Sequence, residues 1–437
     1  LYLAIVFHYF LQMSVHIFSL SLQIAFSCMG PFGFAVTFLN TPVEEFKVYL
    51  NASYNYNLTV DEYKLLWNVI QNIWLIGFLL GMFLSPIISD RLGRKVGLIS
   101  GNICNLLMAI LQWAAIYFYL PSLLLVGRFI SSIVSAIAFQ SIVLYLQEFP
   151  PSSKRGISSY TSDIALSFFC FIGMTLGTNE ILGDHLSILM GVQIVLCAIS
   201  VLLTARLPES PKFLLLKKND EAAALASTHF FHGEKSRSVD KFMRELKEEI
   251  KGDASSAHSL RDIVTIFAEP ALRKTMFLGL AAVEMTVPLW TLLFNSTDLL
   301  LDLNASKFVS QWTSSAMVIC YFIGTLLGAF LIDRIGRRSL LIPCSAISMF
   351  CIGAVTCAFY LKPIFHQSEY IAVAALLMNG LVFGLGIGSI GWFIAPELSP
   401  QRYRSLIQSI VAIINTVQSA IFTFSVMPLY LLRVPSE

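Results

Sequence analysis

Charge is scarce in this 437-residue chain: Asp, Glu, Lys and Arg together make up 13% of it, about half the share of a soluble domain. That excludes a single soluble fold and a disordered chain. The net charge is only +2, and without a basic tail or basic–aromatic stretch no nucleic-acid partner is expected. There is no Cys-x-x-Cys pair. The eight cysteines (Cys28, Cys104, Cys170, Cys197, Cys320, Cys344, Cys351 and Cys357) all lie in apolar runs. They read as small buried hydrophobes, not as disulfide or metal partners. The seven histidines show no metal spacing, and neither a nucleophile elbow nor a His-Glu-x-x-His motif occurs. No enzyme activity, cofactor or metal is therefore expected. Gly384-Leu-Gly386-Ile-Gly388 sits in an apolar run, where it reads as a place for helix packing or flexing and not as a phosphate cradle.

Hydrophobic residues are what the chain has in abundance, at 56%, with a mean hydropathy of +0.72. Apolar runs between polar breaks predict eleven membrane spans: 15–38, 66–89, 97–118, 121–145, 157–180, 186–206, 273–298, 311–332, 340–361, 371–394 and 405–430. The one long polar stretch, Pro208 to Arg273, holds an amphipathic helix with Val239, Phe242, Met243, Leu246 and Ile250 on one face. The expected organisation is an amino-terminal half over 1–206, a helical linker over 207–272 and a second half over 273–437.

Basic residues set the orientation. With the amino terminus and linker in the cytosol, 23 of the 29 Lys and Arg fall on the inner side, and the short loops alone read 10 inside against 4 outside. That follows the positive-inside rule. The glycosylation sequons at Asn51, Asn57 and Asn304 then all face outward. The run from Leu1 to Phe38 is too long for one span and has no initiating Met. It reads as a long first helix on a chain whose true start is missing.

The chain also repeats itself. Asp90-Arg-Leu-Gly-Arg-Lys95 follows span two, and Asp333-Arg-Ile-Gly-Arg-Arg338 follows span eight, 243 positions on. Glu148 with Arg155 after span four recurs as Glu397 with Arg404 after span ten. Duplicated six-span halves are the signature of a secondary transporter whose site lies between them. These motifs resemble the sugar-porter branch of the major facilitator superfamily, and most closely the animal facilitative hexose transporters. Also matching are Gly127-Arg128, Tyr145 through Gly156, Pro208-Glu-Ser-Pro-Lys-Phe-Leu214, Pro396-Glu397, Phe32-Gly-Phe34, Asn40-Thr-Pro42 and Glu44-Glu-Phe46.

Positive-inside charge accounts for the basic residues of these motifs but not for the repeated acids. Carboxylates and guanidiniums at facing helix ends form strong, partly desolvated pairs. Asp90 and Asp333 are also candidates to cap helix amino termini. The expectation is a cytosolic latch of Asp90, Arg91, Arg94, Glu148, Arg155 and Glu209 in one half and Asp333, Arg334, Arg337, Glu397 and Arg404 in the other. The resemblance implies that it is closed when the cavity faces outward and broken when it faces inward.

Position by position, the resemblance carries over Trp392 and Asn415 as cavity residues. It places Asp163 where a span-five Gln would stand, Glu284 and Met285 at two further Gln positions and Trp290 at an Asn. The span-ten Pro-x-Pro reads Ser389-Ile-Gly391, the intramembrane Glu is Gly384, and the span-one acid of many proton-coupled porters is Ala35. A carboxylate in a span costs on the order of 2.5–3.5 kcal/mol, so Asp163 and Glu284 are functional candidates. They either accept hydrogen bonds from sugar hydroxyls, or bind an organic cation between Trp290 and Trp392, or carry a proton.

The fold class expected is an all-α polytopic membrane protein of the major facilitator type, with about eleven spans. The function expected is alternating-access transport of a sugar or polyol across the plasma membrane. The alternatives are an organic-cation or proton-coupled transporter and a non-transporting sensor or defective paralogue. The expected partners are the bilayer, a small solute and, in the coupled reading, a proton. Compared with the first half, the second half ends 22 residues early at Val434-Pro-Ser-Glu437, about one span. A missing twelfth helix is therefore expected.

Overall fold

The computed structural model describes residues 15–55, 58–151, 155–233, 236–251, 260–363, 367–400 and 403–431. Asn57 lies outside them, as do the side chains of Asp90, Arg155 and Asp333. Among the described residues there is no strand. The first half comprises α1 (Val15–Thr37), α2 (Val43–Ser53), α3 (Val60–Arg91), α4 (Arg94–Tyr117), α5 (Pro121–Glu148), α6 (Arg155–Leu176) and α7 (Leu186–Ala205). Four shorter helices form the linker: α8 (Pro211–Lys217), α9 (Glu221–His232), α10 (Ser236–Lys251) and α11 (Leu260–Ala268). The second half has α12 (Pro270–Glu284), α13 (Val287–Asp302), α14 (Lys307–Ile335), α15 (Arg337–Leu361), α16 (Ser368–Val382), α17 (Gly388–Leu398) and α18 (Arg404–Leu431).

Ten helical segments are long and apolar enough to cross a membrane, and an eleventh, Tyr160–Leu176 in α6, is apolar but shorter. The protein is an integral membrane protein, and these helices coincide with the apolar runs of the sequence. Two spans are broken. The seventh breaks between α12 and α13, where Pro288 in the first turn of α13 supplies no N–H and clashes with the preceding turn. The tenth passes through a π-helical turn, Phe383–Ile387, between α16 and α17. The Gly384–Gly388 stretch is thus a local distortion of a membrane helix.

Within the first half, α5 packs along α3 and α4, α6 along α1, and α7 along α4 and α1. The second half repeats the scheme, with α16 along α14 and α15. The halves meet chiefly where α14 packs on α6 and where α18 packs on α3. Without a hydrophobic driving force in lipid, close backbone contact holds such helices together. A Cβ on Gly81 would lie 2.3 Å from the Ile133 carbonyl oxygen, and one on Gly328 2.3 Å from that of Leu385. By the 243-residue repeat, the counterpart of Gly81 is Gly324, where a Cβ would lie 2.2 Å from the Leu381 carbonyl oxygen. The linker docks at one end of the bundle, where Phe231 stacks on Phe149 at 4.6 Å and His232 Nε2 lies 2.9 Å from the Phe149 carbonyl oxygen.

Candidate functional site

Aromatic side chains fill the space between the halves. Phe32 meets Trp74, Phe78, Phe139 and Trp290 at ring distances of 5.5 to 6.4 Å, and Phe139 meets Trp392 edge-on at 5.3 Å. Two small cavities remain. One, of about 30 Å³, lies among Met29, Phe139, Asp163, Ser389, Trp392 and Phe393. The other, of about 20 Å³, lies among Phe32, Trp74, Trp290, Trp392, Asn415 and Ser419. Trp392 is the wall they share. Each holds about one water, so a hexose would require the halves to part.

Asp163 is buried on α6 and bridges the halves. Its Oδ1 accepts from the Tyr321 hydroxyl of α14 at 2.5 Å, and its Oδ2 accepts from the Ser389 hydroxyl of α17 at 2.5 Å. Both partners belong to the other half. Gly388 permits this approach, since a Cβ there would lie 3.1 Å from Asp163 Oδ2. Neither Tyr321 nor Ser389 was identified from sequence. The available signal was the carboxylate itself, because a buried acceptor needs donors.

Asn415 serves the break in span seven. Its Nδ2 donates to the Val283 carbonyl at 3.0 Å, which also accepts from the Thr286 hydroxyl at 2.6 Å. Asn415 thus joins the Thr286 N–H, at 2.9 Å, and hydroxyl on the Val283 carbonyl at the break, while it lines the second cavity. Glu284 ends α12, half-buried, and lines neither cavity. With its amide turned to face the carboxylate, Gln418 of α18 donates to both Glu284 oxygens. Trp290, Trp392, Asn415 and Asp163 therefore line the cavities, and Glu284 lies beside Asn415 without lining either.

The end of the bundle away from the linker is tied shut across the halves. Asn40 donates to the Leu293 carbonyl at 2.9 Å and to the Ser296 hydroxyl at 2.8 Å, and it accepts from the Thr297 N–H at 3.1 Å. Trp67 Nε1 donates to Asp298 at 3.1 Å, and Gln71 to the Phe294 carbonyl at 3.2 Å. Gln311 donates to the Thr41 carbonyl at 2.8 Å, and Lys307 pairs with Glu45 at 2.7 Å. The sequence reading quoted Asn40 and Glu45 only within motifs and missed them as bridges. Asn51 is in α2 and Asn304 is exposed in a left-handed loop conformation at φ 67°.

At the linker end the pairs Arg94–Glu148 and Arg337–Glu397 each lie within one half. Arg94 pairs with Glu148 at 2.8 Å, with side chains only 11% and 8% exposed, and donates to the Ser89 carbonyl at 2.9 Å. Ser210 donates to the same Glu148. Glu209 caps α4, accepting from the N–H groups of Arg94 at 3.0 Å and Lys95 at 3.1 Å. Glu209 is thus a cap of α4; Asp90 and Asp333, whose side chains lie outside the described residues, sit in the last turns of α3 and α14. Gly93, at φ 113°, makes room, because a Cβ there would meet Glu209 Oε2 at 2.2 Å. Burial holds the Glu209 carboxyl above the ordinary range, partly offset by the Ser210 and Lys95 N–H groups. In the second half Arg337 pairs with Glu397 at 3.0 Å, with side chains 34% and 44% exposed. Arg91 and Arg334 are exposed and Arg404 is half-buried.

The sequence profile of the family described as "Sugar (and other) transporter" matches residues 22–430. The chain is 25% identical over 404 residues to "Solute carrier family 2, facilitated glucose transporter member 9" of Pongo abelii, covering 90% of this chain and 70% of that one. It is 25% identical over 396 residues to member 1 of Gallus gallus, covering 88% and 79%. Among solved structures, the "major facilitator superfamily proton:xylose symporter XylE" superposes with a TM-score of 0.75 at 17% identity, covering 95% of this chain and 89% of that one. A partially occluded inward-open form of the xylose transporter from E. coli superposes at 0.71, also at 17% identity, covering 94% and 91%.

Proposed function

The chain belongs to the sugar transporter family, and from that premise we propose that it carries a neutral sugar or polyol across the plasma membrane by alternating access. The halves are 1–206 and 273–437, the linker is 207–272, and the linker end faces the cytosol. The observation that carries this reading is the buried Asp163 carboxylate, held by two hydroxyls of the opposite half beside a cavity. A carboxylate that accepts hydroxyl donors from the protein can accept them equally from a polyol. Substrate hydroxyls would take the places of Tyr321 and Ser389, with Trp290 and Trp392 packing on the sugar's C–H faces and Asn415 offering its remaining amide valence.

The polar bridges around Asn40 form the outer gate. The linker-end charges form the inner one: Asp90, Arg91, Arg94, Glu148, Arg155 and Glu209 with Asp333, Arg334, Arg337, Glu397 and Arg404. A structural neighbour is a proton:xylose symporter, and in the coupled reading a proton accompanies the solute. Asn51, Asn57 and Asn304 face outward in this orientation and are glycosylation candidates.

The test is uptake by vesicles containing the purified protein, screened over hexoses, polyols and organic cations at two pH values. Saturable uptake of a hexose or polyol that Asp163→Gln diminishes is expected. Uptake of organic cations alone, or of nothing by correctly folded protein, would overturn the proposal.

A further inference from the structure

We propose that the Arg128 guanidinium is a binding site for a small monovalent anion of the halide class, buried behind the Trp74 wall of the interior. The transport reading above gives this residue no role. It lies in the third turn of α5 and is 0% exposed. Its Nε donates to the Ile70 carbonyl at 3.0 Å. Its guanidinium carbon sits 5.5 Å from the Trp74 ring and 5.7 Å from the Phe38 ring. Both terminal nitrogens, Nη1 and Nη2, lack a hydrogen-bond partner, and among the described residues no carboxylate pairs with Arg128.

A guanidinium stays protonated in proteins and presents five N–H donors in a rigid fork. Only the Nε–H is used here, so four donors and a full positive charge are left inside a membrane helix. Two aromatic faces stabilise the cation but satisfy none of those N–H groups. A buried charge persists when a counter-charge and hydrogen-bond partners accompany it. One spherical acceptor resting against the Nη edge supplies both.

The charge of the site selects the ligand. There is one cation, so a monoanion neutralises it and a divalent phosphate or sulfate leaves an uncompensated negative charge among rings. The walls are Phe38, Trp74 and helix backbone, which favours an ion that sheds its hydration easily. Trp74 has one face toward Arg128 and also lines the cavity that holds Trp290 and Asn415. Anion occupancy therefore sets the position of a cavity wall without the anion entering the solute path.

Bromide is the probe, because it scatters anomalously. Crystals of the full chain grown in sodium bromide should show an anomalous peak within hydrogen-bonding distance of the Arg128 Nη atoms. In solution, chloride or bromide should raise the melting temperature saturably by on the order of a few degrees over sodium gluconate at equal ionic strength. Arg128→Gln should abolish that rise. If that variant does not fold, the anomalous map of the unmodified chain decides alone. A bromide map with no peak at Arg128 would overturn the proposal, as would equal stabilisation by gluconate and halide.

Discussion

Removing the Asn40 side chain as Asn40→Ala should open the outer gate. In the closed arrangement Asn40 makes three short bonds across the halves, to Leu293, Ser296 and Thr297, and a longer one to the Leu292 carbonyl at 3.3 Å that is left out of the sum. At about 1 kcal/mol net for each bond, the loss is about 3 kcal/mol. That shifts the ratio of sealed to open forms by roughly 150-fold toward open. The remaining bridges at Trp67, Gln71, Gln311 and Lys307 are untouched, so the fold should survive. The assay is maleimide labelling of a cysteine placed at Ser419, which lines the second cavity, on a background without the eight native cysteines. With reagent added on the side carrying α2, the initial rate should rise by up to the same factor. An unchanged rate in folded protein would refute the gate, as would acceleration only from the linker side.

The two ion pairs at the linker end should differ sharply in worth. Arg94→Gln leaves the buried Glu148 unpaired and should cost about 3–5 kcal/mol, whereas Arg337→Gln breaks an exposed pair worth about 0.2–1 kcal/mol; thermal denaturation giving the reverse order would contradict this. A raised pKa means that folded Glu209 binds its proton more tightly than the unfolded chain does, so its contribution falls as pH rises from the ordinary 4.5 through the raised value. The melting temperature of the unmodified chain relative to Glu209→Gln should therefore drop as pH rises from 4.5, and a flat difference would count against the burial argument. Tyr321→Phe and Asp163→Asn, combined in a double-mutant cycle, should show a coupling of about 1.5–3 kcal/mol; additive effects would mean that the bond is absent in solution.

Hydropathy made the spans legible because crossing a bilayer requires a fixed length of apolar helix, whatever the tertiary contacts. The charged pair Arg94–Glu148 was legible for a related reason: repeated acids at helix ends have no topological explanation. The breaks in spans seven and ten were harder to read. Pro288 and the Gly384–Gly388 run are visible as residues, but whether a helix bends there depends on tertiary contacts, such as the bond from Asn415 of α18 to the Val283 carbonyl. Tyr321 and Ser389 lie 158 and 226 positions from Asp163, and no local periodicity connects them. Asn40 looked like the end of a span, and its partners on α13 lie more than 250 positions away. Glu284 shows the opposite limit: a carboxylate in a span attracts attention, yet its direction was set by Gln418 on another helix.

The central claim is that the two halves rock about an interior site. Paired spin labels test it most directly, one pair at the exposed positions Val48 and Phe308 at the far end and one at Leu92 and Ile335 at the linker end. On addition of the transported sugar the two distance distributions should move in opposite directions, one widening as the other narrows. Distances that stay fixed at both ends, or that widen together, would contradict alternating access in this chain.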